Sequence, residues 1–153
     1  MIDDFNARNE ILTVFNDIVT DLVNGPNSVL GYVPEIRWTG IEETSKTNHA
    51  KTWLRPYLEI IDQPQTCLNG GINGSGKTFT TYGLAFFQVF STKKDNKGIE
   101  NGLKISIIIR DAFRGAVTPG KIWFTNAKIK QMEPEAHYFR YNVIAEYQYD
   151  EKV

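Results

Sequence analysis

Apolar residues recur along this chain with two different periods, and the switches between them mark its elements. Near the start, Phe5, Ile11, Leu12, Phe15, Ile18, Val19 and Leu22 fall on one stripe of a helix, while Asp4, Arg8, Asn9, Asn16 and Asp17 lie largely elsewhere. Asp3 or Asp4 can cap its start, and Asn24-Gly25-Pro26 stops it. Such a stripe is expected to pack on a sheet. Ile36-Arg37-Trp38 reads as a short strand, and Pro56-Tyr57-Leu58-Glu59-Ile60-Ile61 as another, with Pro56 tolerated at its beginning. Glu42 to Lys51 holds almost nothing apolar and reads as a long, mobile loop. Lys77 to Phe90 is a long aromatic strand, followed by a polar loop from Ser91 to Lys97.

Beyond that loop the signals conflict. Ile99, Leu103, Ile107 and Phe113 lie near one face of a helix, and Arg110-Asp111-Ala112-Phe113-Arg114-Gly115 resembles a helix end with glycine at the exit. Ile105, Ile107, Ile108 and Ile109 favour a strand locally. The glycine exit and the position between strand pairs decide for helix. Two strands close the chain, over roughly Lys121 to Met132 and Tyr138 to Tyr149, joined by Pro134-Glu135-Ala136-His137. In the last, Phe139, Tyr141, Val143, Ala145, Tyr147 and Tyr149 share one face. The order helix, strands, helix, strands, with short loops between strands, predicts a single α+β domain over residues 1–153. Its sheet should be mostly antiparallel, with both helices packed on one side.

Composition narrows the function classes. With 17 basic and 18 acidic residues, a net charge of −1 and no long block of like charge, the chain lacks the clustered cations of a dedicated nucleic-acid binder. No apolar run approaches the ~18 residues that span a bilayer. Met1-Ile2-Asp3-Asp4-Phe5 lacks the features of a signal peptide, so a cytoplasmic site of synthesis and no membrane partner are expected.

One motif demands a decision. Gly71-Ile72-Asn73-Gly74-Ser75-Gly76-Lys77-Thr78 satisfies the phosphate-binding pattern G-x-x-x-x-G-K-[ST] at every position. That loop works only between a buried strand and the N-terminus of a helix, whose N–H groups converge on the phosphates. Here nine residues separate Ile61 from Gly71. The spacing of Phe79, Tyr82, Phe86 and Phe90 is compatible with a helix, but Thr, Phe, Tyr, Val and Gly dominate the stretch and suit a strand. A hydrolase also needs a carboxylate at a strand end to hold Mg²⁺. The nearest candidate, Asp111, follows Ile107-Ile108-Ile109-Arg110 in a segment read as helix. The motif is therefore read as a Gly/Ser/Asn-rich loop, with nucleotide hydrolysis through Gly71–Thr78 kept as an alternative.

Other chemistry is sparse. Glu42-Glu43 sits in the polar loop and reads as solvated surface. Cys67 is the only cysteine, and His49 and His137 have no partner at helical spacing, so no catalytic, cofactor-binding or metal-ligating set is predicted. Trp38, Trp53 and Trp123 read as core or interface anchors rather than base-stacking platforms. Large polar loops on a small aromatic-rich domain suit a protein that becomes ordered against a partner.

The order of elements resembles the tail terminator (tail completion) proteins of long-tailed bacteriophages, of the lambda type. Ala7-Arg8-Asn9-Glu10-Ile11-Leu12 opens the pattern, followed by Ile36-Arg37-Trp38-Thr39 and Pro56-Tyr57-Leu58-Glu59-Ile60. Thr81-Tyr82-Gly83-Leu84-Ala85-Phe86-Phe87-Gln88-Val89-Phe90, Asp111-Ala112-Phe113-Arg114-Gly115 and Tyr138-Phe139-Arg140-Tyr141-Asn142-Val143 complete it. The stretches Glu42 to Lys51 and Asp62 to Lys77 depart from it. The resemblance implies a virion structural protein without enzymatic activity. Its partners would be itself, in a homohexameric ring, the tail-tube protein and a head–tail connector protein. The ring would sit at the head-proximal end of the tail, stop tube polymerisation and offer the head a docking face, with DNA passing through its lumen unbound. Another head–tail connector or a tail-tube module is the alternative within virion proteins.

Overall fold

The computed structural model describes residues 2–23, 28–38, 50–67 and 77–152. Its elements are helix α1 (Asp4–Thr20), strands β1 (Glu35–Ile36), β2 (Trp53–Asp62), β3 (Gln65–Cys67) and β4 (Thr78–Thr92), helix α2 (Gly98–Phe113), and strands β5 (Trp123–Met132) and β6 (Tyr138–Lys152). The strands form one sheet in the order β1-β2-β4-β6-β5, and β3 pairs with β4 next to the end of β2. Every pairing is antiparallel except the short parallel contact of β1 with β2. The predicted α+β domain is the observed one.

Aromatic stacking puts both helices on one side of the sheet. Phe87, fully buried on β4, stacks on Phe15 of α1 at 4.7 Å and on Phe113 of α2 at 4.6 Å. Phe113 continues to Phe124 of β5 at 4.8 Å. Around this column lie Ala85, Val89, Val143, Ala145 and Ala127, all fully buried. Tyr141, Val143, Ala145, Tyr147 and Tyr149 of β6 face the helices as their alternation predicts, with Phe139 half-buried beside them.

Helix α1 begins as its sequence asks. The Asp3 carboxylate accepts the Asn6 backbone N–H at 2.7 Å, a cap worth about 1 kcal/mol. Asp4 accepts instead from the Tyr149 hydroxyl at 2.5 Å and from Gln63 Nε2 at 3.0 Å, pinning the helix to β6 and to the β2–β3 turn. Glu10 accepts the Gly120 N–H at 2.7 Å. Thus three carboxylates of the first three turns cap and anchor the helix.

Several expectations need correction. Phe5, expected on the apolar stripe, is 71% exposed, because the buried face of the helix runs through Ala7, Ile11, Phe15 and Val19. The helix ends at Thr20, before the expected stop, whose residues 24–27 lie outside the described residues. On α2 the predicted face is rotated: Ile99 and Leu103 are 54% and 42% exposed. The buried face runs through Gly98, Gly102, Ile105, Ser106, Ile109 and Phe113. The two glycines let the helix sit close to the sheet, since a methyl at Gly102 would meet the Tyr141 ring at 2.6 Å. Close packing through glycine leaves no apolar signal, so the stripe was assigned to its larger neighbours.

Strand limits also move. The predicted strand at Ile36-Arg37-Trp38 is Glu35–Ile36, β2 starts at Trp53 rather than Pro56, and β6 runs on to Lys152. β4 extends to Thr92 through what was read as loop, and β3 was missed within the polar stretch after Ile61. β5 starts at Trp123 because Lys121 holds a positive φ of 67°, which a strand does not admit. The predicted polar loop at 42–51 lies outside the described residues up to residue 49.

Two outcomes follow from the tyrosine-lined face. Gly83 leaves room for the Tyr147 phenol, and a Cβ there would run into that ring and, at 2.8 Å, into the Glu59 carbonyl. Gly83→Ala is expected to destabilise the fold by roughly 1–3 kcal/mol in urea unfolding, whereas an unchanged midpoint would contradict this packing. Burial, with a smaller contribution from the Asp4 charge, pushes the Tyr147 hydroxyl from 10.0 up to about 12. A phenol whose folded value is raised stabilises fully below pH 10 and loses that contribution as pH climbs through about 12. Tyr147→Phe should therefore flatten the loss of stability across that alkaline window, as read by unfolding curves at stepped pH.

Candidate functional site: the uncovered sheet face and its edges

With both helices on one face, the other face of the sheet carries no helix. Its side chains follow from register. Trp53, Arg55, Tyr57, Glu59 and Asp62 of β2 stand on it beside Tyr82, Leu84, Phe86, Gln88 and Phe90 of β4. Arg140, Asn142, Ile144 and Glu146 of β6 continue the rows, which end on Lys128, Lys130 and Met132 of β5. The mixture of aliphatic, aromatic and charged groups differs from the dense apolar face under the helices.

One corner of this face is built as a stack. The Trp53 and Phe90 rings lie 3.9 Å apart and 3° from parallel, with Tyr138 edge-on to both. The Arg37 guanidinium sits 4.6 Å from the Trp53 ring centre, and Arg140 4.8 Å from that of Phe90. Four strands, or the residue just beyond one, thus contribute successive layers of a cation–aromatic ladder. Such contacts contribute about 0.5–2 kcal/mol each. The cations are also engaged in plane: Arg55 Nε donates to Gln88 at 2.7 Å, Arg140 pairs with Glu135 at 3.1 Å and Arg37 with Glu35 at 3.6 Å. Arg37 and Arg140 are thus matched by carboxylates, whereas Arg55 meets the neutral amide of Gln88.

The edges differ from that corner and from each other. β1 pairs β2 only at Trp53 and Leu54. Farther along, Tyr57, Ile60 and Ile61 are exposed, and beside them Phe5, Leu58 and Ile60 help line a groove of about 250 Å³ against α1. Pro56 is accommodated because its side of β2 faces away from β4, the side on which the Leu54 carbonyl accepts the Arg37 N–H at 2.8 Å. At the opposite edge, the first part of β5 is covered by the preceding turn, where Phe124 N–H donates to the Ala116 carbonyl. Arg114 Nη2 then donates to the Ala127 carbonyl at 2.8 Å. Past Ala127 the β5 edge carries exposed Lys128 and Lys130. A cleft of about 530 Å³ opens near its start, lined by Ile2, Pro119, Lys121 and the half-exposed Trp123.

The residues singled out by sequence are scattered. Residues 71–76 of the phosphate-binding pattern, and also His49, Glu42 and Glu43, lie outside the described residues. Lys77 and Thr78 lead directly into β4, so the expected strand is there, and no helix N-terminus follows Thr78 to receive a phosphate. Asp111 lies near the end of α2, exposed and 2.9 Å from Arg110, not at a strand end. Cys67 ends β3, His137 is exposed before β6, and the three tryptophans are apart: Trp38 against the core, Trp53 in the ladder and Trp123 at the cleft. Among the described residues no three His, Cys, Asp or Glu side chains come together as a metal site. No described helix is long and apolar enough to cross a membrane. The two sheet edges were not legible as sites beforehand. The adjacent Ile60-Ile61 pair, exposed at the end of one strand, was the available signal.

No family model and no curated protein matches the chain. Solved structures do. One, whose name states no function, superposes with a TM-score of 0.64 over 97% of this chain and 96% of its own, at 11% identity. This shared fold establishes the architecture: a single mostly antiparallel sheet with two helices against one face.

Proposed function

We propose that the protein is a ring-forming virion subunit of the tail-terminator kind. Copies would close head to tail at the head-proximal end of a phage tail tube, stop its polymerisation and present a docking face to the head. The observation that carries this reading is the pair of unlike sheet edges. One carries the exposed carboxylates Glu59 and Asp62 among Tyr57, Ile60 and Ile61, and the other carries Lys128 and Lys130 on either side of Ile129. A head-to-tail ring requires two different, complementary patches on each subunit, whereas a two-fold dimer uses one patch twice. The resemblance in element order supplies the tail end as the place of assembly. The near balance of charge, net −1, suits a wall past which DNA slides without binding.

Electron microscopy of the purified protein, alone and mixed with matching tail tubes, tests the proposal. Discrete rings, or subunits that collect at tube ends and halt their growth, are the expected result. Long tubes formed by the protein alone, or no affinity for tube ends, would overturn it. The hydrolase alternative has its own measurement: the proposal expects no turnover of ATP or GTP that disappears in Lys77→Ala.

A further inference from the structure

The phase of backbone hydrogen bonding at the two edges fixes how they would meet. On β2 the Leu54 carbonyl points away from β4, so by the period-two alternation of a strand the groups of Leu58 and Ile60 point the same way. On β5 the Ala127 carbonyl points away from β6, so those of Ile129 and Gln131 also point outward. None of these four residues has an edge partner among the described residues. Each edge therefore offers two residues whose outward backbone groups have no partner among the described residues, spaced for one another.

Strand direction agrees. β2, β4, β6 and β5 alternate in direction along the sheet. Rotating a copy about a ring axis keeps these directions, so β5 of the next copy would run antiparallel to β2, as every long pairing in the sheet does. From these features we infer that β2 of one subunit pairs antiparallel with β5 of the next. Leu58 stands opposite Gln131 of the neighbouring copy, and Ile60 opposite its Ile129. The inference rests on the proposed self-assembly and gives it an interface.

The register follows from the faces as well. It places Glu59 opposite Lys130 of the next copy, both on the helix-free side, where an ion pair can form. On the helix side it sets Ile60 against Ile129. Slipping by one residue would put each side chain on the wrong face and the hydrogen-bonding groups out of phase. The helices add bulk to one face, so a closing sheet curls with them on its wider outer side and its helix-free face inward. That inward face carries Arg55, Lys128, Lys130 and Arg140 together with Glu59, Asp62 and Glu146, a mixed-charge wall for a DNA-sized passage.

Cysteine trapping tests the register in the intact chain. Glu59→Cys and Lys130→Cys are combined in a Cys67→Ser background. Within one subunit the two positions lie on opposite edges, at least about 14 Å apart across three strand spacings, too far for a disulfide. Oxidation is expected to produce reducible, covalently linked oligomers, far fewer of which form with the out-of-register pair Arg55→Cys and Lys130→Cys. Glu59→Lys or Lys130→Glu alone should weaken association ~10-fold, and the double exchange should restore it. Rings that cap tubes without forming the 59–130 bridge would overturn this seam and leave the capping role standing. Bridged rings that ignore tube ends would support the seam and overturn the capping role. A protein that stays monomeric and unbridged at high concentration would overturn both.

Discussion

The Phe15–Phe87–Phe113 stack is the contact on which the rest of the molecule depends. One ring at the middle of β4 receives a ring from each helix on opposite sides, at 4.7 and 4.6 Å. Both helices are thereby held to the same face. Everything on the other side of the sheet follows from that choice: the cation–aromatic ladder, the mixed rows of charge and aromatic groups, and edges that no helix covers. A sheet with helices on both faces would have no such surface to offer.

Anchoring of α1 is as economical as its packing. Asp3 closes its first turn, while Asp4 and Glu10 reach Tyr149, Gln63 and Gly120. The helix is therefore tied to β6, to the β2–β3 turn and to the turn before β5. The Tyr149 hydroxyl is held well above its ordinary range by burial and by the Asp4 carboxylate that accepts its proton. Neighbouring Tyr147 is raised for the same first reason, so burial keeps both phenols protonated.

Much of this architecture was legible in the sequence because strong periodicity has a direct physical cause. The alternation from Tyr141 to Tyr149 and the stripe through Ile11, Phe15 and Val19 are buried as they predict. The aromatic composition after Thr78 likewise identified β4 against a motif that asks for a helix. What was not legible depended on contacts that leave no apolar residue behind. Gly98 and Gly102 turn α2 by removing side chains, and the sequence marks them only as weak helix formers. The edges were hidden for another reason: which strand lies outermost is a property of strand order, not of local pattern. Glu59 and Lys130 belong to strands at opposite borders of the sheet, and only topology shows that their outward groups share a phase.

The proposed assembly reduces to one physical statement, that this sheet is completed by another copy of itself. Hydrogen–deuterium exchange resolved to single residues tests it most directly, by comparing assembled with dissociated protein. The account predicts that the amides of Leu58, Ile60, Ile129 and Gln131 become protected together on assembly, while that of Ile108, already bonded within α2, is unchanged. Assembled protein in which those four amides exchange at the rate of the dissociated subunit would contradict it.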